Sequence, residues 1–284
     1  MKSPPEISVS RAGGKDAPRE VAPGILVCPN AEALARVSAR LFVESAWQAI
    51  AKDQKFCVAL SGGKTPAAFF RILATPEYRA QVDWQRMHLF WGDERPVPPE
   101  SDQSNYGMAR RELIIRVGIP GSNVHRMEAE AENIGHAAQA YEDTMRRVLP
   151  RNDQGFPRFH LIFLGLGPEG HVASIFPGAR GLRDTSRWVS TPTIAKLNSR
   201  RMTFTLPVLN SAEQVAFLVS GDEKAEILFQ MLTVKSDPPL PAQLVTVPNG
   251  KRTVLCDEDA ARLVLDEIRK KGELHLLALH SKKK

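Results

Sequence analysis

The stretch FCVALSGGKTP, residues 56–66, decides the fold. Phe56–Leu60 is a short, continuous apolar run, the pattern of a strand covered on both faces. Gly62 and Gly63 let the backbone turn sharply, and Pro66 suits the first turn of a helix expected to continue over 68–73. A buried strand that passes through a glycine turn into a helix is the repeating unit of an α/β protein with a parallel sheet. The same alternation recurs along the chain. Met87–Trp91, Phe159–Gly165, Val215–Ser220 and Arg252–Cys256 read as further buried strands. Helical stretches are expected over Ala31–Ala51 behind a capping Asn30, and over Tyr106–Val117, Ile134–Leu149, Lys224–Leu232 and Glu258–Lys270, the last capped by Asp257. The expected fold is α/β, a mostly parallel sheet with helices on both faces, Rossmann-like. A single domain is expected over 25–272. An unstructured lead-in over 1–24, rich in Pro, Gly and charge, precedes it, and a basic tail over 273–284 follows.

Composition narrows the function. The 284 residues are 43% apolar and 25% charged, as in ordinary globular proteins. No apolar run approaches the roughly 18 residues of a membrane span, so no membrane association is expected. The net charge is +6, but Lys282, Lys283 and Lys284 supply half of it. No basic stripe interleaved with aromatics is present, so nucleic-acid binding is not expected. Cys28, Cys57 and Cys256 are far apart and form no Cys-x-x-Cys, which argues against a disulfide framework or a zinc site. Free thiols make the cytoplasm the expected compartment.

In a parallel sheet, ligands bind beyond the carboxyl ends of the strands. Three such ends carry chemistry: SGGKTP (61–66), GDERPVP (92–98) and GLGPEGHVASIFPG (165–178). The first contains Gly-Lys-Thr, but a nucleotide-binding P-loop would need glycine at position 58, where Val58 stands inside the strand. A loop this short suits one phosphate, held by backbone at Gly62 and Gly63, by Ser61, Lys64 and Thr65, and by the start of the next helix. On this stretch alone, an ordinary strand-to-helix turn fits equally well. The third loop matches the dinucleotide pattern at Gly165, Gly167 and Gly170, but Pro168, Pro177 and Gly178 leave no room for the long helix that pattern needs. Of the histidines, His171 alone sits in a glycine-rich loop at a strand end, where it can take and give a proton near neutral pH. Glu169 either orients it or merely helps close a turn. His88 and His160 read as structural, His125 and His136 as surface positions. In the second loop, Arg95 suits a phosphate or carboxylate, and Asp93 or Glu94 suits a neighbouring base or hydroxyl; a solvated charged loop is the alternative.

Together these loops resemble the 6-phosphogluconolactonase family. The resemblance extends through GDERPVPPESDQSNYGMAR (92–110), RRMTFTLPVLN (200–210) and LPAQLV (240–245), in family order from about residue 30 to about residue 265. Lys64 stands where the family usually has Ser, and Glu169 where it usually has Asp. The resemblance implies the sugar-phosphate isomerase/deaminase fold. It also implies hydrolysis of 6-phospho-D-glucono-1,5-lactone to 6-phospho-D-gluconate in the oxidative pentose phosphate pathway. His171 would be the general base, with Glu169 and Asp93 supporting it. Ser61, Gly62, Gly63, Lys64, Thr65, Arg95, Asn105, Gly167, Gly170 and Arg201 would bind substrate and its phosphate, with Arg200 the less favoured neighbour of Arg201. The implied ligand is a small sugar-phosphate lactone, with no cofactor and no metal. A monomer is expected, with an oligomer left open. The competing readings are a glucosamine-6-phosphate deaminase-like enzyme, whose second loop usually reads Asp-Glu-Tyr, and a non-catalytic sugar-phosphate sensor.

Overall fold

The structure, a computed structural model, describes residues 16–178, 182 and 186–277. Its strands are β1 (Arg19–Ala22), β2 (Ile25–Cys28), β3 (Phe56–Leu60), β4 (Met87–Trp91), β5 (Asp93–Glu94), β6 (Leu161–Leu164), β7 (Val189–Ser190), β8 (Thr193–Ile194), β9 (Ser199–Arg200), β10 (Met202–Phe204), β11 (Gln214–Val219) and β12 (Lys251–Asp257). Its helices are α1 (Ala31–Asp53), α2 (Lys64–Leu73), α3 (Pro76–Arg79), α4 (Asn105–Glu112), α5 (Ile134–Val148), α6 (Leu206–Asn210), α7 (Ala225–Thr233) and α8 (Glu258–Lys271).

Seven strands form the main sheet in the order β1-β2-β12-β11-β6-β3-β4. All neighbours are parallel except the β1–β2 hairpin, which turns at Gly24 with φ 76°. Both faces are apolar because successive side chains alternate. Along β3, Phe56, Val58 and Leu60 pack with α1, α2 and α4, whereas Cys57 and Ala59 pack with α5, α7 and α8. Phe42, Phe56, Phe69 and Phe163 interlock on the first face. Each fully buried ring there contributes roughly 1.5–3 kcal/mol. Asn30 caps α1 by accepting from Ala33 N at 2.9 Å, and Asp257 caps α8 by accepting from Ala260 N at 2.9 Å.

Three sequence expectations are corrected. Residues 19–22, read as lead-in, form β1, because pairing with β2 satisfies their backbone groups at the sheet edge; residues 1–15 lie outside the described residues. The start of the expected tail also packs: Leu274 and Leu276 lie against the core, and Leu277 N donates to Leu232 O at 2.9 Å. Residues 278–284 lie outside the described residues. The helix expected over 106–117 ends at Glu112, where Leu113 leaves helical geometry (φ −130°) and residues 114–116 form a 3-10 turn.

The strand order fixes where a site can lie. β3 leads through α2 to β4 on one side, whereas β6 leads onward to β11 on the other. Yet β3 and β6 are paired neighbours, with Val58 opposite Leu161 and Ala59 opposite Ile162. Their outgoing loops therefore diverge and leave a crevice at the carboxyl edge, the usual ligand position in such sheets.

Candidate active site

The crevice brings together SGGKTP from β3 and GLGPEGH from β6. Ser61 is buried beside Gly165, whose position for a Cβ lies 3.9 Å from Ser61 Oγ. Gly63 takes φ 104° as the residue before α2, and no side chain caps that helix. The first turn of α2 thus presents Lys64 and Thr65 with uncapped backbone N–H groups and the positive end of the helix dipole. Lys64 is exposed.

His171 is held in place from several directions. Its Nδ1 lies 3.0 Å from Glu169 Oε2, and its ring stacks on Phe176 at 4.0 Å between centroids. Gly167 N donates to His171 O at 2.9 Å, closing the turn tightly. Gly170 adopts φ 75°, favoured by glycine, and its carbonyl accepts from Ala242 N at 3.0 Å. The Nδ1 contact to a carboxylate places the proton on Nδ1 and leaves Nε2 with its lone pair. Burial pushes the imidazole pKa below its ordinary value, with Glu169 opposing that shift, Asp93 opposing it more weakly, and Lys224 adding to it. Glu169 is held down at about 2, first by Lys196 and then by His171.

The loop after β4 supplies the third wall. Gly92 N donates to Leu60 O, and the chain then crosses into a small sheet ordered β5-β10-β7. Asp93 is buried: Ser174 Oγ donates to its Oδ2 at 2.6 Å, and Asn105 Nδ2 donates to its Oδ1 at 3.2 Å and its carbonyl at 2.9 Å. Ser174 N also donates to Thr203 Oγ1 at 3.1 Å, tying the His171 loop to β10. Glu94 faces the other way. It accepts from Ser104 Oγ at 3.0 Å and from the N–H groups of Asn105 and Tyr106 at 2.9 and 2.8 Å, so it anchors the start of α4. Burial raises its pKa.

β10 pairs with β5, setting Met202 opposite Glu94 and Thr203 opposite Asp93. This register carries Arg201 beside the second loop. Burial and then the charge of Arg95 lower its pKa, with Asp93 and Glu94 opposing. Arg200 lies exposed in β9, whereas Arg201 is half-buried and near Arg95, Asp93 and Glu94. Arg95 Nη1 donates to Gln103 O.

The structure links Gly62 to Asn105, Asn105 to Asp93, and Gly167 and Glu169 to His171, with Ser61 beside Gly165 and Arg201 near Arg95; Gly63, Lys64 and Thr65 open α2, and Gly170 is turned toward Leu240. Sequence reasoning missed Lys196 and Lys224. Lys224 lay in plain view in the GDEK turn that follows β11, another parallel strand; Lys196 carried no local signal. His125, expected at the surface, instead stacks on Phe90 (4.5 Å) and meets His88 Nδ1 at 3.1 Å, because His125 N donates to the β4 edge at Leu89 O. It borders a separate cleft of about 510 Å³ between α4 and α5.

Fold and site together define an α/β protein with a glycine loop and a carboxylate-held histidine at the switch point of a parallel sheet. The sequence profile of the glucosamine-6-phosphate isomerases/6-phosphogluconolactonase family matches residues 29–255, and the chain belongs to that family. It is 37% identical over 214 residues to a 6-phosphogluconolactonase of Synechocystis sp., covering 75% of this chain and 86% of that protein. It is 36% identical over 245 residues to a probable chloroplastic 6-phosphogluconolactonase 3 of Oryza sativa subsp. indica, covering 82% and 72%. The solved 6-phosphogluconolactonase of Trypanosoma brucei superposes with TM-score 0.77 at 26% identity, covering 86% of this chain and all of that one. A monomeric glucosamine-6-phosphate deaminase shares the fold with TM-score 0.70 at 18% identity. Among the described residues, no helix is long and apolar enough to cross a membrane.

Proposed function

We propose that this chain hydrolyses 6-phospho-D-glucono-1,5-lactone to 6-phospho-D-gluconate, as the names of its relatives suggest. The observation that carries the reading is the geometry of His171: Nδ1 is engaged by Glu169, Nε2 has no hydrogen-bond partner among the described residues, and burial favours the neutral ring. A neutral imidazole is the form that accepts a proton from water.

In this mechanism Nε2 takes a proton from a water as its oxygen attacks the lactone carbonyl. The resulting tetrahedral oxyanion is stabilised by backbone N–H groups of the glycine-rich loops. On collapse, the C1 bond to the ring oxygen breaks and the imidazolium returns the proton to that oxygen, giving a carboxylic acid and a free hydroxyl. Glu169 keeps the tautomer fixed, and Asp93 stabilises the transient imidazolium. The Ser61–Thr65 loop and the first turn of α2 hold the phosphate, with Arg95 and Arg201. Two arginines whose charges repel one another gain from an anion between them, which fits that assignment. Asn105, Gly167 and Gly170 shape the wall against the sugar. Lys224, close enough to His171 to lower its pKa, adds a cation for the anionic substrate. No cofactor or metal takes part in this scheme.

The cytoplasm is the proposed compartment. Cys28, Cys57 and Cys256 are free and buried, as suits a reducing environment, although the rice relatives are named chloroplastic. A monomer is the proposed state.

The test generates the lactone in situ from glucose 6-phosphate and follows its decay. Wild-type protein accelerates decay, and His171→Ala loses about 10²–10⁴-fold in kcat. Unchanged decay with wild type sinks the activity. Near-normal turnover by His171→Ala sinks the assignment of the base.

A further inference from the structure

The geometry points to Lys196 as a positioning residue that holds Glu169 so that Glu169 can hold His171. This rests on the reading of His171 as the base.

Lys196 sits in the 3-10 turn Ala195–Leu197, between β8 and β9. Its Nζ pairs with Glu169 Oε1, while the other oxygen, Oε2, lies 3.0 Å from His171 Nδ1. The two carboxylate oxygens thus face different partners, and the carboxylate cannot rotate without breaking a contact. A glutamate needs this more than an aspartate would. Its extra methylene adds a rotatable bond, and an unrestrained glutamate in a turn spends much of its time away from the ring. The Lys196 contact supplies the restraint that the shorter side chain would have built in.

The same hairpin also grips the arginine of the site. Arg201 N donates to Pro192 O at 2.9 Å, and Arg201 Nη1 donates to Ser199 Oγ at 3.1 Å. One short hairpin therefore places both the orienting pair of the base and a proposed phosphate ligand. The Lys196 side chain is 69% exposed, and an exposed ion pair adds little to stability. Its consequence falls on the titration and aim of His171.

The sign follows from the groups that face the ring: Glu169 from its own loop, Asp93 from β5 and Lys224 from the turn after β11. Lys196 acts on the ring by keeping Glu169 against it. Without Lys196, Glu169 swings away from the ring, its upward pull on the His171 pKa is lost, and the ring loses its aim.

The experiment compares wild type, Lys196→Met and Lys196→Arg by two readouts. The first is the His171 ring titration followed by NMR in the unliganded protein. The second is the pH profile of kcat and KM for lactone hydrolysis. Lys196→Met is expected to lower the His171 titration by roughly half a pH unit. It should lower kcat by about threefold to tenfold with little change in KM. Lys196→Arg should restore both, and melting temperature should stay near wild type in all three. A Lys196→Met protein with wild-type His171 titration and wild-type kcat overturns the inference. The NMR readout does not depend on turnover, so it still judges Lys196 if His171→Ala proves active and the base is assigned wrongly.

Discussion

The imidazole of His171 lies against the Cα of Gly167: a Cβ built on Gly167 would stand 2.0 Å from His171 Cε1 and 2.1 Å from Nδ1. Real atoms never approach so closely, so any side chain at 167 evicts the ring. The ring is partly exposed and can swing outward without unfolding the core. Gly167→Ala should therefore cost about 10²-fold or more in kcat, close to the loss in His171→Ala, with a near-normal melting temperature. Kinetics and thermal melts on the same samples check this. Activity within a few-fold of wild type would mean the observed ring position is not the working one.

A second glycine has the same relation to a different partner. A Cβ on Gly62 would stand 1.7 Å from Asn105 Oδ1, and Asn105 in turn bonds Asp93 twice. Gly62→Ala should destabilise by about 1–3 kcal/mol through overpacking. Adding Asn105→Ala removes the obstacle, so the double variant should be less destabilised than the sum of the two single variants. Urea denaturation of the four proteins measures the coupling; strict additivity would count against the contact.

Asp257 links two elements. It caps α8 through Ala260 N and also accepts from Gly221 N at 3.0 Å and from Ser220 Oγ, at the turn that carries Lys224. Asp257→Ala should lose about 1 kcal/mol from the cap alone. It should also raise KM, because the Lys224 turn is released. Asp257→Asn keeps an acceptor for one N–H and should fall between. A KM unchanged in both variants would show that the turn holds its shape without this anchor.

Acid should weaken the fold through the His88–His125 pair. Burial and then His88 lower the His125 pKa from 6.5 to about 4, and burial lowers that of His88. The unfolded chain therefore binds more protons than the native one between those values, and stability falls as pH drops from about 6.5 toward 4. Below pH 4 this contribution levels off. His125→Phe, which keeps the stacking on Phe90, should flatten the slope in that window. Denaturant midpoints at neutral and mildly acidic pH test it, and an identical slope in both proteins would place the acid sensitivity elsewhere.

Much of the fold was legible in short windows. Phe56–Leu60 matches β3 residue for residue, Met87–Trp91 matches β4, and the caps at Asn30 and Asp257 open α1 and α8. Strand burial, helix periodicity and glycine turns are local properties, written in adjacent residues. The three strand-end loops were legible for the same reason, and so were His171 and Glu169, two positions apart in one loop. Boundaries were less so: β1 emerged from a stretch rich in Pro, Gly and charge, because an edge strand takes its stability from its partner.

Other features depended on residues far apart in the chain. Nothing local says that β6 returns to lie beside β3, yet that pairing makes the crevice and sets SGGKTP next to GLGPEGH. The pairing of β10 with β5 brings the chain at Arg201 next to the second loop, a relation between segments more than a hundred residues apart. Lys196 and Lys224 reach the site only through the hairpin and the β11 turn. The sequence by itself determined the elements and the chemistry at their ends; the tertiary structure decided which ends meet. The physical reason is that propensity acts over a few residues, whereas strand order and register are settled by burying both faces of one shared sheet.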